Sequence, residues 1–197
     1  DHARLPAGHV LHVLHILFMG TIEPRKNVGA LLRAYAGLLE RRPDAPPLVL
    51  AGRLTQACQP LLDQLVRPPL AGHVHHLGYV EPSERERLYR QASMVVLPSL
   101  DEGFGLPALE AMTMGVPVVV SSRGALPEVV GRAGLIVEPD DIAGLTAAMD
   151  RLLSDPVLAR TCVDEGLKQS RRFSWDDSAT RLIEAYGSAI ERRRARR

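Results

Sequence analysis

The chain has 197 residues, which suits one large domain or two small ones and is enough to bury a substantial core. Hydrophobic residues make up 46% and charged residues 24%, an ordinary balance for a globular protein. The formal net charge of +1 gives no global attraction to nucleic acid, so we expect no nucleic-acid partner.

Cysteine usage and hydropathy indicate where the protein works. Cys58 and Cys162 lie in helical patterns without metal-ligand or disulfide spacing, which favours a reducing cytoplasm. No apolar run approaches the roughly 18 residues of a spanning helix, and no signal-peptide cleavage site is present. The basic run 191–197 is interpreted as a solvated tail, with an anionic membrane surface or another domain as the alternative. We predict a cytoplasmic protein, with a peripheral position at the inner face of the membrane as the alternative.

Short apolar, β-branched runs alternate with amphipathic stretches along the chain. The predicted strands are 16–20 (extending back toward residue 10), 48–52, 73–80, 94–99, 116–122 and 134–139. The predicted helices are 27–42, 56–66, 83–92, one beginning at Pro107, 141–155, 156–173 and 175–194. Ser83 with Glu86 three residues later predicts a capping box at the start of the third helix.

This alternation predicts the fold class. Several strands are unbroken apolar runs, which is typical of a parallel sheet covered on both faces. We therefore predict an α/β fold, a Rossmann-like doubly wound parallel sheet of about six strands with a helical C-terminal extension. Residues 1–172 form the predicted Rossmann-like domain, and residues 173–197 form a C-terminal helix and basic tail.

Polar, glycine-bearing loops follow the predicted strands. They read "GTIEPRKN", "AGRLT", "GYVEPS", "SLDEGFGLP" and "SSRGALPE". Because ligands of doubly wound sheets bind beyond the carboxyl ends of the strands, these loops predict a site at that edge.

The segment "DEGFGLPALE" carries the most specific chemistry. Free amides of Phe104, Gly105 and Leu106 at a helix start predict an anion site. Glu102 precedes the helix, and Glu110 lies about one turn into it, where a carboxylate can accept both hydroxyls of a ribose. The alternative is that both glutamates only complement the helix dipole.

Residues 99–141 closely resemble the nucleotide-sugar-binding signature of family 4 (group 1) glycosyltransferases, in which two glutamates eight positions apart bracket a glycine-rich loop and a helix start. "FMGTIEPRKN" is similar to the phosphate loop of that family, and "LYRQASMVVLPS" to the segment before the signature. The resemblance extends from about His15 to Val157. It implies the GT-B architecture of two Rossmann-like domains, with this chain as the C-terminal, sugar-donor-binding half and the N-terminal acceptor-binding domain absent from it.

The resemblance also implies an activity. A hexosyltransferase of this kind moves a sugar from a nucleotide-diphospho sugar, such as a UDP- or GDP-sugar, to a saccharide or lipid-linked acceptor with retention of configuration. It would use no metal and no other cofactor, would serve polysaccharide or glycolipid biosynthesis, and would be inactive as an isolated half. The alternatives are a non-catalytic nucleotide-sugar-binding module and a nucleotide-sugar 2-epimerase-like domain, which the two-glutamate signature disfavours.

Three residues are implied to be catalytic when the resemblance is carried over to this sequence. Glu102 would bind hydroxyls of the donor sugar, and Lys26 would neutralise the diphosphate. Many family members have an arginine after the glycine where this chain has Gly20-Thr21, so Arg25 would substitute for it. The alternative for Arg25 is a solvated loop charge. Thr21 would contribute only a hydroxyl.

The remaining implied contacts belong to the α-helix start. Gly105 and Leu106 would donate backbone amides to the distal phosphate, and Phe104 would contact the sugar. Glu110 would accept hydrogen bonds from the ribose hydroxyls.

The base is expected near the end of the third strand. Backbone groups of Tyr79 and Val80 occupy the place where family members commonly bind it, with ordinary packing as the alternative for Tyr79. Arg53 is placed where some members contact base or phosphate, and the alternative is a solvated arginine. His73 and His75 lack an acidic or cysteine partner at ligand spacing, so we predict no metal site.

Overall fold

A computed structural model of the chain describes residues 14–194, apart from the side chain of Arg194. Its centre is one parallel six-stranded sheet with the strand order β3-β2-β1-β4-β5-β6. The strands are β1 (His15–Met19), β2 (Leu48–Ala51), β3 (Val74–Gly78), β4 (Ala92–Leu97), β5 (Val118–Ser121) and β6 (Gly134–Val137).

Eight α-helices connect or follow these strands in the described part of the chain. They are α1 (Val28–Arg41), α2 (Leu62–Leu65), α3 (Pro82–Arg90), α4 (Leu106–Thr113), α5 (Leu126–Val130), α6 (Ile142–Ser154), α7 (Pro156–Ser170) and α8 (Trp175–Arg194). A 3₁₀ turn, Pro24–Lys26, precedes α1, and a 3₁₀ helix, Gln56–Leu61, leads into α2.

The apolar runs form the buried middle of the sheet. All residues of β1, β2 and β5 are buried. In β1, Leu17 pairs with Val49 of β2 on one side and Val95 of β4 on the other. The helices close the core, with α1 packed on α6 and α4 on α7. The predicted fold class is therefore confirmed, while the division after residue 172 stays a prediction.

The strand order reverses between β1 and β4. The chain first builds the sheet outward from β1 through β2 to β3, then returns to add β4, β5 and β6 on the other side. The loops after β1 and β4 consequently lead away from each other and leave a crevice at the carboxyl edge, where doubly wound sheets bind ligands.

Proline residues and helix caps account for the differences from two predicted helices, 56–66 and 83–92. The predicted helix 56–66 is a 3₁₀ helix followed by the short α2, because Pro60 inside it cannot donate a backbone hydrogen bond. The predicted capping box is wrong: α3 begins at Pro82 with Glu81 as its N-cap, and Glu86 instead pairs with Arg90 at 2.7 Å.

Two short elements lie in segments that were predicted as loops. These are the 3₁₀ turn Pro24–Lys26 and helix α5, Leu126–Val130. Cys58 and Cys162 are buried free thiols. The predicted extension of β1 toward residue 10 and the last three residues of the basic tail lie outside the described residues. None of the helices in the described range is long and apolar enough to cross a membrane.

Candidate functional site

A cleft of about 830 Å³ opens at the carboxyl ends of β1 to β4, beside the start of α4. Eleven of the twelve residues predicted for the site line it, and the exception is Lys26. The eleven are Gly20, Thr21, Arg25, Arg53, Tyr79, Val80, Glu102, Phe104, Gly105, Leu106 and Glu110. Residues from four separate loops therefore meet on one surface.

Glu102 and Lys26 form a buried ion pair at the wall of the cleft. Lys26 Nζ donates to Glu102 Oε2, and Ser99 Oγ donates to the same oxygen at 3.3 Å. The Lys26 and Glu102 side chains are only 8% and 10% exposed. Glu102 lines the cleft and Lys26 does not. Lys26 therefore lies behind Glu102 and contacts it through the hydrogen bond. The structure thus gives Lys26 a carboxylate partner that its implied phosphate role did not include.

Arg25 is a cation that lines the cleft beside Glu102. Its Nη2 lies 2.7 Å from Glu23 Oε1, and its Nη1 donates to the Asp101 carbonyl at 3.2 Å. The Leu100 amide donates to the Arg25 carbonyl at 2.7 Å, which ties the loop after β1 to the loop after β4. Arg25 is therefore a half-exposed residue on the cleft wall whose side chain has partners in Glu23 and the Asp101 carbonyl, and its phosphate role stays a prediction.

Asn27 anchors the same loop from behind. Its backbone is left-handed, with φ of 54°, and its Nδ2 donates to the carbonyls of Pro98 at 3.2 Å and Pro139 at 2.9 Å. These carbonyls follow β4 and β6, so one side chain fixes the "PRKN" loop to two other strand ends. The motif itself gives no sign of this role for Asn27, because the two carbonyls lie 71 and 112 residues away in sequence.

The start of α4 presents backbone amides to the cleft. Gly105 is the N-cap, with φ of 93° and no side-chain cap. This φ is strained for any residue with a side chain, so the entry to the helix favours glycine, and a Cβ here would also displace Leu126 Cδ2, which would lie 2.6 Å away. The first amides of a helix have no partner within it, and together with the helix dipole they favour an anion.

The loop after β5 supports Glu102. Gly124, with φ of 60°, packs so closely that a Cβ there would lie 2.4 Å from the Glu102 carbonyl oxygen. The Ala125 amide donates to this oxygen at 2.9 Å. The backbone of Glu102 is thus held by a segment that contributes no side chain to the cleft.

Glu110 also lines the cleft, and two side chains of α3 contact its carboxylate. Tyr89 Oη donates to Glu110 Oε2 at 2.7 Å, and Arg85 Nη1 lies 3.5 Å from Oε1. Burial, followed by the neighbouring Glu110 charge and hydrogen bond, raises the pKa of Tyr89 far above its ordinary value, so its hydroxyl stays protonated and donates.

Arg85 lines the cleft, and the sequence analysis missed it. The available signal was its spacing: Arg85 and Tyr89 are four apart and share one face of α3. That spacing shows which two side chains travel together, but not that Glu110 lies opposite them.

Tyr79 and Arg53 meet where the base was expected. The guanidinium carbon of Arg53 lies 5.1 Å from the centre of the Tyr79 ring, within range of a cation–π contact. Tyr79 is 56% exposed, so core packing does not describe it. Both residues line the cleft rather than pointing away from it.

Phe104 links the cleft to the segment before α8. Its ring contacts Phe173 edge to face, with centroids 5.6 Å apart. The remaining exposed part of Phe104 lies on the cleft wall.

The histidines of β3 do not gather metal ligands. His76 Nε2 lies 3.0 Å from the Gly52 carbonyl oxygen. Burial, and to a lesser extent His73, lowers the pKa of His75. Between residues 14 and 194 no group of three or more His, Cys, Asp or Glu side chains could hold a metal ion.

Solved structures share this fold. The C-terminal domain of the group 1 glycosyl transferase LpcC from Francisella tularensis superposes with a TM-score of 0.73 and 27% identity, over 87% of this chain and 93% of that one. HepE from Anabaena, solved in complex with UDP and glucose, gives a TM-score of 0.79 at 23% identity, over 91% of this chain and 49% of that one. The fold and its cleft define a C-terminal GT-B glycosyltransferase domain.

Sequence comparison gives the family. Residues 14–155 match the family described as "Glycosyl transferases group 1", and the chain belongs to that family. O-antigen chain mannosyltransferase B of Escherichia coli is 41% identical over 172 residues, covering 87% of this chain and 45% of the relative. The chain spans less than half the length of the curated relatives it matches.

Proposed function

We propose that this chain is the sugar-donor-binding half of a retaining glycosyltransferase that moves a hexose from a nucleotide-diphospho sugar to an acceptor. The observation that carries the proposal is the set of groups that share the cleft. Glu102, Glu110, Arg25 and the start of α4 all line it, and the two glutamates have separate partners: Lys26 and Arg25 for Glu102, Tyr89 and Arg85 for Glu110. Its volume of about 830 Å³ is in the range of small-molecule sites.

The diphosphate of the sugar donor would bind at the start of α4. Backbone amides of Gly105 and Leu106 would donate to the distal phosphate, where the helix dipole also favours negative charge. Arg25 faces the same space and supplies the cation that Thr21 cannot. Negative charge grows on the leaving nucleoside diphosphate as the glycosidic bond breaks, so groups already oriented toward it stabilise the transition state. This part of the proposal requires no metal.

The sugar of the donor would bind beside Glu102. Lys26 and Ser99 occupy Glu102 Oε2, while Oε1 lies 3.9 Å from Arg25 Nη1 and can accept from a sugar hydroxyl. Lys26 keeps Glu102 oriented and puts a positive charge immediately behind the wall. Phe104 provides an apolar surface against the sugar.

The nucleoside of the donor would bind on the side of the cleft nearest the end of β3. Glu110 would accept from the ribose hydroxyls, since its carboxylate is already oriented by Tyr89. Backbone groups of Tyr79 and Val80 would bind the base, with Arg53 stacked on Tyr79 at the rim. HepE, which shares this fold, was solved in complex with UDP and glucose, and this supports a nucleoside diphosphate such as UDP or GDP as the ligand.

The acceptor would be bound by another domain of the protein. Because this chain spans less than half of its curated relatives, an N-terminal Rossmann-like domain would supply the residues that bind the acceptor. We propose a saccharide or lipid-linked acceptor, met at the cytoplasmic face of a membrane, and the name of the relative O-antigen chain mannosyltransferase B supports a saccharide acceptor. Without that domain we expect this chain to bind the sugar donor but not to transfer the sugar.

Calorimetric titration of the 197-residue chain with UDP and with GDP tests the proposal. We expect one of them to bind, and Glu110→Ala to weaken binding at least about tenfold, since a hydrogen bond to a charged group is worth about 1.5–3 kcal/mol. Glu86→Ala is the matched control, because Glu86 pairs with Arg90 on α3 outside the cleft. If neither nucleotide binds at millimolar concentration, the proposal is wrong.

A further inference from the structure

Helix α3 gives Glu110 one hydrogen-bond donor, Tyr89, and one ion-pair partner, Arg85, and the two side chains differ in burial. Tyr89 is fully buried and donates to Oε2 at 2.7 Å. Arg85 has a side chain that is 47% exposed, and its Nη1 lies 3.5 Å from Oε1. Tyr89 therefore fixes Glu110, while Arg85 can move and is open to the cleft.

We propose that Arg85 is a nucleoside-binding residue, which together with Glu110 binds one ribose hydroxyl of the sugar donor. This rests on the proposed function, because it deepens the assignment of the nucleoside end of the cleft. Arg85 would thereby select nucleotides that carry that hydroxyl over the corresponding deoxynucleotides.

The chemistry of the pair fits a hydroxyl group. An ionised carboxylate only accepts hydrogen bonds, and a guanidinium only donates them, whereas a hydroxyl does both. A ribose hydroxyl can donate to Glu110 Oε1 and accept from Arg85 Nη1, so both charged groups keep a partner when the ligand enters. A hydrogen atom in place of that hydroxyl would leave both contacts unmade.

The position of Arg85 distinguishes it from its neighbours. Helix α3 carries three arginines, Arg85, Arg87 and Arg90, and Arg85 alone among them lines the cleft. Arg90 pairs with Glu86 at 2.7 Å on the exposed side of the helix. An exposed ion pair contributes little to stability, so the pairing with Glu110 alone gives Arg85 no large structural role.

Calorimetric titration tests this with UDP or GDP, whichever binds more tightly, and with its 2′-deoxy and 3′-deoxy forms. We expect the wild type to bind one deoxy form roughly tenfold more weakly than the ribonucleotide, as the loss of a charge-assisted hydrogen bond predicts. Arg85→Leu should bind the ribonucleotide roughly tenfold more weakly and lose most of that preference. Arg85→Lys, which keeps the charge but not the planar fork, should lie between.

Arg90→Leu is the matched control and should keep both the affinity and the preference of the wild type. Melting temperatures of all variants establish that they are folded. Unchanged affinity in Arg85→Leu, or unchanged ratios for both deoxy forms, overturns the role of Arg85 while leaving the proposed function intact. Absence of any nucleotide binding by the wild type overturns the proposed function and the role of Arg85 with it.

Discussion

Lys26 and Glu102 are 76 residues apart in sequence and form a buried hydrogen-bonded ion pair. One residue lies in the loop after β1 and the other in the loop after β4, on the two sides of the point where the strand order reverses. The pair therefore joins the walls of the crevice in which the candidate site lies. It also gives Glu102 two tasks, since the same carboxylate lines the cleft.

Replacing Glu102 with alanine should destabilise the protein. Lys26 would be left as a buried charge without its carboxylate, and removal of one partner of a buried ion pair costs about 3–5 kcal/mol. We expect the free energy of unfolding in urea to fall by about 3 kcal/mol. Glu86→Ala, which breaks an exposed pair, should lower it by less than about 1 kcal/mol. Equal stability of the two variants would show that the buried pair is not structural.

Asn27 allows the side-chain and backbone contributions to be separated. Asn27→Ala loses the hydrogen bonds to Pro98 and Pro139 and also strains a backbone with φ of 54°. We expect a loss of about 3–4 kcal/mol from two hydrogen bonds of about 1 kcal/mol each plus a left-handed penalty of about 1–2 kcal/mol. Asn27→Gly removes the same hydrogen bonds without the strain and should be the more stable variant. Urea unfolding of both measures this: the reverse order would contradict the backbone strain, and wild-type stability of Asn27→Gly would contradict the anchoring role of the side chain.

Gly124 should tolerate no side chain. A Cβ at Gly124 would lie 2.4 Å and 2.6 Å from backbone atoms of Glu102, which cannot swing aside as a flexible side chain can. Gly124→Ala should lower the free energy of unfolding by about 1–3 kcal/mol through this clash and the positive φ, and should weaken binding of the intact nucleotide sugar by displacing Glu102 from the sugar. At Gly103 a Cβ would meet nothing within 4 Å, so Gly103→Ala is the control for stability. A Gly124→Ala variant with wild-type stability would contradict the close packing.

Two buried tyrosines predict a loss of stability at alkaline pH. Burial is the main cause that raises the pKa of Tyr35 and of Tyr89 far above the ordinary value of 10.0. Above pH 10 the unfolded chain releases these protons while the folded protein keeps them, so stability is full below that pH and falls as pH rises further. The slope should reach up to about 1.4 kcal/mol per pH unit for each tyrosine.

Melting temperatures between pH 8 and pH 11 measure this alkaline loss. The double variant Tyr35→Phe/Tyr89→Phe should start lower, because it lacks the hydrogen bonds to Pro46 and Glu110, but should decline less steeply. Tyr186→Phe, at an exposed position, should follow the wild type. A double variant that declines as steeply as the wild type would assign the alkaline loss to other groups.

Much of the sheet could be predicted because its strands are buried on both faces. The run "VVVS" of β5 is apolar through its first three positions, and such runs between amphipathic stretches are typical of parallel sheets. Strand ends were less certain. The third strand was predicted over 73–80 but spans Val74–Gly78, because Gly78 takes a φ of 71° that leaves the extended conformation.

The site could be located from the loops but its internal contacts could not. Glycines, a proline and two carboxylates at strand ends mark the cleft, since parallel strands bring those ends together. The pairing of Lys26 with Glu102 depends on the order of the strands in the sheet, which a local pattern does not contain. Arg85 lies in a highly polar helix, "PSERERLYR", where sequence alone gives no reason to prefer it over Arg87 or Arg90.

A crystal structure of the chain with its preferred nucleoside diphosphate tests the central claim most directly. We expect ribose hydroxyls within about 3.2 Å of the Glu110 carboxylate and the distal phosphate at hydrogen-bond distance from the Gly105 and Leu106 amides. A nucleotide bound outside the cleft, or one whose phosphates lie away from the start of α4, would contradict it.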